Sequence, residues 1–219
     1  MNPIDPLAPH KRERRKQDRP GELIEAALDL FVEKGFAATR VEEVAARAGV
    51  SKGTLFLYFP SKEDLFKAVV RENVVNPVTQ GATEIAQFQG PTGELLEWMM
   101  LQWWHRYGAT KASGISKLVM SEAQNFPEMA YFYQEEVIKP GNALIRGILE
   151  RGVQSGEFRA LDTEQAVHAV VAPMIFLMMW KHSMGACAAS AKIVDPEQFI
   201  HMQVDVLLHG MTAQKSKSK

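Results

Sequence analysis

The sequence predicts an all-α protein: an amino-terminal three-helix unit containing a helix-turn-helix, then a larger helical carboxy-terminal body. Three observations predict it. Apolar residues recur at three- and four-residue intervals over most of the 219 residues. Ser, Thr or Asp open these runs and Gly closes several of them, as helix caps do. No stretch alternates apolar and polar residues as a half-buried strand requires, and no segment repeats.

A hydrophobic fraction of 46% can bury one large core or two small ones. The lone cysteine, Cys187, rules out a disulfide framework within the chain and fits a reducing, cytoplasmic setting. The first twenty residues are polar and basic, so no secretory signal is expected. The richest apolar run, 166–180, falls short of the roughly 20 residues of a membrane helix and carries His168 and Pro173. No membrane partner is expected. The net charge of −1 is unevenly spread. Residues 1–19 hold six Lys/Arg against three Asp/Glu, and residues 215–219 hold three lysines and no acid. Sixteen basic and twenty-three acidic residues remain for the body. A basic arm on an acidic body suits one polyanion-binding face.

In chain order, residues 1–19 contain three prolines and no apolar period. They read as a flexible basic arm, either a solubilising tail or an extra phosphate or minor-groove contact. A first helix is expected over 21–34, with Leu23, Ile24, Ala27, Leu28 and Phe31 on one face and Glu22, Glu25, Asp29 and Glu33 on the other, ended by Gly35. A second opens on a capping box in which the Thr39 hydroxyl accepts from the Glu42 amide and the Glu42 carboxylate reaches back. Val41, Val44, Ala45 and Ala48 form its apolar stripe, and Gly49 ends it with a positive φ. Ser51 caps a third helix over 52–58, too short to stand alone, with Leu55 and Phe59 in the core. Ser61 and Asp64 start a fourth, packed through Leu65, Phe66, Val69 and Val70 and broken at Asn76-Pro77. Residues 81–93 read as a loose connection. Further helices are expected over 94–107 and 115–124, over 128–155 with an interruption at Pro140-Gly141, from 162 to about 183, and from 195 to about 210. The domains are then an arm at 1–19, a DNA-binding domain at 20–70, a helical ligand-binding and dimerisation domain at 71–212, and a lysine-rich tail at 213–219.

The chemistry is concentrated in TRVEEVAARAGVSKGTLFLYFPSK, residues 39–62. Two short helices joined by a tight turn, the second with small and hydrogen-bonding residues in its first turn, meet the requirements of major-groove reading. Lys52 and Thr54 sit where side chains meet base edges or phosphates, and Gly53 lets the backbone approach. Exposed Leu57 matches a thymine methyl, the Tyr58 hydroxyl can donate to a phosphate, and Lys62 adds its charge to a helix amino terminus. AARAGVSKGTLFLYFPSKEDLF, preceded by FVEKGFAATRVEEVA, resembles the amino-terminal domain of the TetR/AcrR transcriptional repressors over roughly residues 20–70. The resemblance implies that the threonine, the aromatic pair and the lysine after the turn touch DNA. Phe56 departs from the tyrosine common in that family, which forfeits one hydroxyl-to-phosphate bond. The residues expected at DNA are Arg40, Ser51, Lys52, Gly53, Thr54, Leu57, Tyr58 and Lys62.

The body is rich in Met and aromatic residues, most of them core; such clusters also line cavities for apolar ligands. The resemblance implies an inducer pocket there, and the expected lining is Met99, Trp103, Tyr107, Glu122, Phe126, Met174 and Met178. Glu122 is an acid on an apolar stripe, and facing a pocket it would favour a cationic or hydrogen-bond-donating ligand; otherwise it meets solvent or an arginine such as Arg146. Small residues at 166–172 and the stripe Phe199, Met202, Val206 and Leu207 suit a four-helix bundle between two subunits, or burial within one. A near-palindromic operator in double-stranded DNA requires two-fold symmetry, which favours the homodimer. His201, Asp205 and His209 recur every fourth residue, yet read as a solvated face and not as metal ligands. No phosphate-cradling loop or nucleophile elbow is present, so neither a cofactor nor enzymatic activity is expected. Three functions stay open: a ligand-responsive DNA-binding regulator, the same fold controlled by a protein partner, and an all-helical enzyme or carrier. In the first, a ligand would push on the helix at 115–123 and so tilt the fourth helix.

Overall fold

The computed structural model describes residues 11–187 and 194–211, with backbone alone over 11–17. The first ten residues of the expected arm and the lysine-rich tail lie outside the described residues. Among those described, every element is helical, and the chain divides into two compact units, Met1–Val69 and Val70–Lys219.

In the first unit, α1 spans Lys11–Lys34, ten residues earlier than the start expected at Gly21. Lys, Arg, Glu and Gln dominate the added stretch and are good helix formers, and Arg19 pairs with Glu22 at 2.8 Å across Pro20. Leu23, Ala27, Leu30 and Phe31 of α1 are buried. Phe31, Phe36 and Phe66 close on one another with ring centroids 5.5–5.7 Å apart. This aromatic triangle fixes α1 against α4, Lys62–Val70. Between them lie α2, Val41–Arg47, and α3, Lys52–Tyr58.

The Thr39/Glu42 capping box does not form. Arg40 is the cap of α2, and the Glu43 carboxylate reaches back to its amide at 3.5 Å. Thr39 is instead 1% exposed, and its hydroxyl faces the carbonyls of Leu30 at 3.1 Å and Gly35 at 2.7 Å. It ties the end of α1 to the start of α2. A tertiary bond outcompeted the local one.

In the second unit, the break expected at Asn76-Pro77 is helix, and so is the loose connection expected over 81–93 except at 88–91. A π-helical turn, Arg71–Val75, passes directly into α5, Asn76–Gln87. The Asn76 amide bonds five residues back, to the Arg71 carbonyl. That wider turn leaves room for the Pro77 ring, which in a regular helix would clash with the carbonyl four residues back. The same device recurs at Pro140. A π turn, Gln134–Ile138, joins α8, Pro127–Tyr133, to α9, Lys139–Ser155, and the Lys139 amide bonds to the Gln134 carbonyl. The expected interruption at Pro140-Gly141 is therefore a continuous helical path. Arg71 and Glu136 join the two π turns through a two-pronged ion pair at 2.5 and 2.8 Å, with the guanidinium 5.1 Å from the Phe132 ring centre.

The core of this unit gathers Leu95, Leu96 and Met100 of α6 (Thr92–Trp103), Ile148 and Leu149 of α9, Val170 and Leu177 of α10 (Thr163–Lys181), and Ile200 and Val204 of α11 (Pro196–Met211). A third π turn, Trp104–Gly108, follows α6. The Lys181 ammonium donates to the carbonyls of Gly108, Ala109 and Thr110 beyond it, at 3.0, 2.6 and 2.6 Å. Then comes α7, Gly114–Glu122. The Phe158 ring lies where a Cβ on Gly152 would be, which folds the chain back onto α9.

One length expectation fails. The helical stretch Thr163–Ala186 has 24 residues and a mean hydropathy of 1.2 in its most apolar window, long and apolar enough to cross a membrane by length and composition. Pro173 sits inside it without ending it. Val167, Val170, Met174, Leu177 and Met178 are buried as a core stripe of the unit, and only 22% of the window is buried in all.

Candidate DNA-reading surface and apolar cavity

The reading surface is built by two turns. At the end of α2, Gly49 takes φ 66°. The Val50 amide bonds to the Ala45 carbonyl at 2.9 Å and the Gly49 amide to Ala46 at 3.1 Å, the paired bonds of a left-handed helix stop. Ser51 then caps α3 by accepting from the Thr54 amide at 3.1 Å, and the Ser51 and Thr54 hydroxyls are 2.9 Å apart. Leu55 is fully buried and Phe59 nearly so, which pins the short helix by its inner side. Its outer side is open. Lys52, Gly53, Phe56 and Leu57 are exposed, Leu57 at 84%, and Thr54 and Tyr58 are half-buried.

Charged side chains steady this head. Arg47 bonds Glu33 through two nitrogens at 3.0 and 3.1 Å, and Lys34 meets Glu43 at 2.8 Å, holding α2 on α1. Lys52 pairs with Glu42 at 2.6 Å, and its ammonium holds the Glu42 carboxyl below the ordinary carboxylate range. Arg40 is exposed beside them. Lys62, the expected phosphate contact, is half-buried, with its ammonium on the carbonyls of Phe36 at 2.8 Å, Thr39 at 3.1 Å and Ala37 at 3.4 Å, and 4.5 Å from the Phe36 ring centre. Its donors serve the loop between α1 and α2.

The second unit contains an apolar cavity of about 370 Å³. Five of the seven expected lining residues border it: Met99, Trp103, Tyr107, Met174 and Met178. Glu122 and Phe126 do not. The carbonyl of Glu122, at the end of α7, accepts from the amides of Asn125 and Phe126, both at 2.9 Å, as the helix stops there. The cavity takes Ser116, Val119 and Met120 of α7. Arg146 pairs with Glu164. The preference for a cationic ligand therefore falls.

The sequence reading missed the wall made by Val74, Pro77, Val78, Gly81 and Ile85. These positions recur at three- and four-residue spacing, the signal of a helix face, but Pro77, Pro91 and the three glycines of 81–93 argued for a loop. It also missed Ser116 and Tyr133. The Ser116 hydroxyl lies 2.8 Å from that of Tyr107 and 2.9 Å from that of Tyr133. All three are buried, and that burial raises both phenols above the ordinary tyrosine value. They stay neutral. The charged lining pair, Glu84 and Arg106, is partly exposed and self-satisfied at 2.8 and 3.0 Å. No cluster of three His, Cys, Asp or Glu suited to a metal occurs among the described residues. His201 instead bonds Glu97, and His209 the Asp205 carbonyl.

Comparison with known proteins bears on both units. Residues 23–69 match the family model described as bacterial regulatory proteins, tetR family. Residues 91–212 match the model of the tetracyclin repressor-like carboxy-terminal domain. The chain is 26% identical over 162 residues to the HTH-type transcriptional regulator YdeS of Bacillus subtilis, spanning 72% of this chain and 76% of that one. It is 48% identical over 62 residues to the HTH-type transcriptional regulator RutR of Escherichia coli, 28% of this chain and 29% of that one. The crystal structure of the transcriptional regulator FadR of Bacillus subtilis with stearoyl-CoA superimposes with a TM-score of 0.74 at 22% identity, covering 87% of this chain and 98% of FadR.

Proposed function

This chain belongs to the TetR family and is a DNA-binding transcriptional regulator, not an enzyme, and from that premise we propose that it is a repressor released from its operator by a small, largely apolar molecule. The observation that carries the reading is the cavity of about 370 Å³ in the second unit, within the range of pre-formed small-molecule sites. A regulator governed by a protein partner alone has no use for such a space. The FadR neighbour, whose structure contains stearoyl-CoA, supports an effector with an apolar chain.

At DNA, Lys52, Gly53, Thr54 and Leu57 present the outer side of α3 to the major groove, with Arg40, Ser51 and Tyr58 on the flanking phosphates. Lys62 acts as a positioning residue that holds the loop before α2. Lys52 must exchange Glu42 for DNA. Two such heads, about 34–36 Å apart in a homodimer, would enter successive major grooves of a near-palindromic site. The effector acts on their separation through the backbone that runs from α4 by way of the π turn at 71–75 into α5, since Val74, Pro77 and Val78 border the cavity. It needs only a different affinity for the two states.

The test is a mobility-shift titration on the DNA upstream of the protein's own gene. Thr54→Ala and Tyr58→Ala should each weaken binding about tenfold or more, the value of one or two lost directional contacts. If both bind as tightly as the parent, the reading surface is misassigned. If no apolar extract or compound releases the parent from DNA, control by a protein partner takes its place.

A further inference from the structure

The wall of the cavity is apolar apart from a few residues, and the polar ones differ in kind. Glu84 and Arg106 satisfy each other at a partly exposed edge. His168 is exposed, and Gln102 and Asn142 are half-buried. The buried polar groups of the lining are the three hydroxyls of Tyr107, Ser116 and Tyr133, at 5%, 6% and 7% exposure.

A proton count shows what these hydroxyls lack. Three hydroxyls carry three protons, and the row from Tyr107 through Ser116 to Tyr133 consists of two hydrogen bonds. Whichever way the protons point, two are used within the row and one remains. Every buried oxygen has a partner, so none is orphaned as an atom, yet one proton of the row lies outside its two short bonds, where its neighbour in the row is the other phenol. A donor of this kind in an apolar wall is a binding point for oxygen.

We propose that the cavity takes a neutral molecule of about a dozen non-hydrogen atoms with one carbonyl-type oxygen, which accepts the spare proton of the Tyr107–Ser116–Tyr133 row. Its alkyl body lies against Met99, Trp103, Met174 and Met178. The size follows from about 370 Å³ divided by the ~30 Å³ that a water-sized unit occupies in a liquid. Neutrality follows from the charges. The one cation in the lining, Arg106, is held by Glu84, so a carboxylate drawn to the hydroxyls would lose its hydration without gaining a counter-charge. A cation would meet hydroxyls that stay protonated, because burial drives both phenols upward. This inference rests on the effector reading given above, and it narrows that reading to one ligand class.

Three probes of about the same size separate the possibilities: 2-undecanone, decanoate and undecylamine. Binding is read from the emission of Trp98 and Trp103, both in the lining, and operator release is measured in parallel. The ketone should bind at least tenfold more tightly than either ion. Single Tyr→Phe changes leave a spare proton on the remaining pair, and the two together leave it on Ser116, so the informative variant is Tyr107→Phe/Ser116→Ala/Tyr133→Phe, which removes all three hydroxyls and keeps both rings. It should lose about tenfold for the ketone, the value of one hydrogen bond. The infrared carbonyl band of bound 2-undecanone should lie below its position in hexane, a readout that does not depend on a variant folding. Equal or tighter binding of an ion, undiminished ketone binding by the triple variant, or a hexane-like band overturns the assignment. Tight ketone binding without operator release keeps the assignment and overturns effector control instead. Release by decanoate does the reverse.

Discussion

At the scale of single residues, Gly53 separates what the fold needs from what DNA needs. It is the second residue of α3, and a Cβ placed on it would meet only the Ser51 hydroxyl oxygen, at 3.8 Å. Its φ is not positive. The fold has no use for a glycine here, and a helix interior prefers alanine by about 1 kcal/mol. Close approach of a phosphate or base edge is the remaining reason. Gly53→Ala should therefore raise the thermal midpoint slightly and weaken operator binding about tenfold or more, measured by melting and mobility shift on the same preparation. Retained affinity in a stabilised variant would remove Gly53 from the interface. Gly152 shows the opposite case. There the Phe158 ring already occupies the Cβ position, so the same change would disturb packing inside the molecule.

At the scale of elements, what could be read from sequence depended on how local the deciding bond was. Gly35, Gly49, Ser51 and Ser61 end or begin helices through bonds to residues three to five away, and each is found where its pattern puts it. Thr39 departed because its partners lie across a turn in α1. Pro77 and Pro140 departed because a π turn before each absorbs the ring, and such a turn has no residue signature of its own. On α6 and α10 the cavity wall was legible at Met99, Trp103, Met174 and Met178, as a Met and aromatic face; the wall on α5 was lost with the misread proline. One cap was beyond reach altogether, since Glu157 lies 65 residues from the helix it serves. It accepts from the Thr92 amide at 2.6 Å and hydroxyl at 2.9 Å, at the first turn of α6. Partial burial pushes the Glu157 carboxyl up, but the bonds from Thr92 and Ser155 and the nearby Arg151 outweigh it and hold the group below its ordinary 4.5. The unfolded chain thus binds this proton more readily than the folded one. The contribution is complete above about pH 4.5 and is lost as pH falls through the lower folded value. Glu157→Gln should lower the urea midpoint at pH 7 by the equivalent of about 1 kcal/mol, a charged hydrogen bond discounted for solvent exposure. The gap to the parent should close as pH falls through the lowered folded value. A gap independent of pH would mean that the carboxylate charge plays no part.

At the scale of the whole molecule, the apolar surface left on α10 and α11 needs a cover. Phe176 is 43% exposed, Met202 64% and Val206 57%, and Ala169 and Ala172 are exposed on the same side of α10 as Phe176. The Phe176 and Phe199 rings, 5.5 Å apart, join the two helices into one surface. Small residues on one helix and large ones on its neighbour suit close ridge packing against a second copy. Water is a poor solvent for such a face, and a second copy covering it also supplies the two-fold axis that paired reading heads require. Val206→Arg puts a charge into that surface at a position already open to solvent, so the fold of the single chain should survive with an unchanged circular dichroism melt. Light scattering should report a dimer for the parent and a monomer for this variant. Operator affinity should fall by at least a hundredfold, because one head then binds without the other at the local concentration a dimer provides. Tyr131→Arg is the control: Tyr131 is 66% exposed on α8, outside this surface, and its variant should remain dimeric. If Val206→Arg stays a dimer with full affinity, the subunits meet elsewhere, and the open side of α10 and α11 must serve another partner.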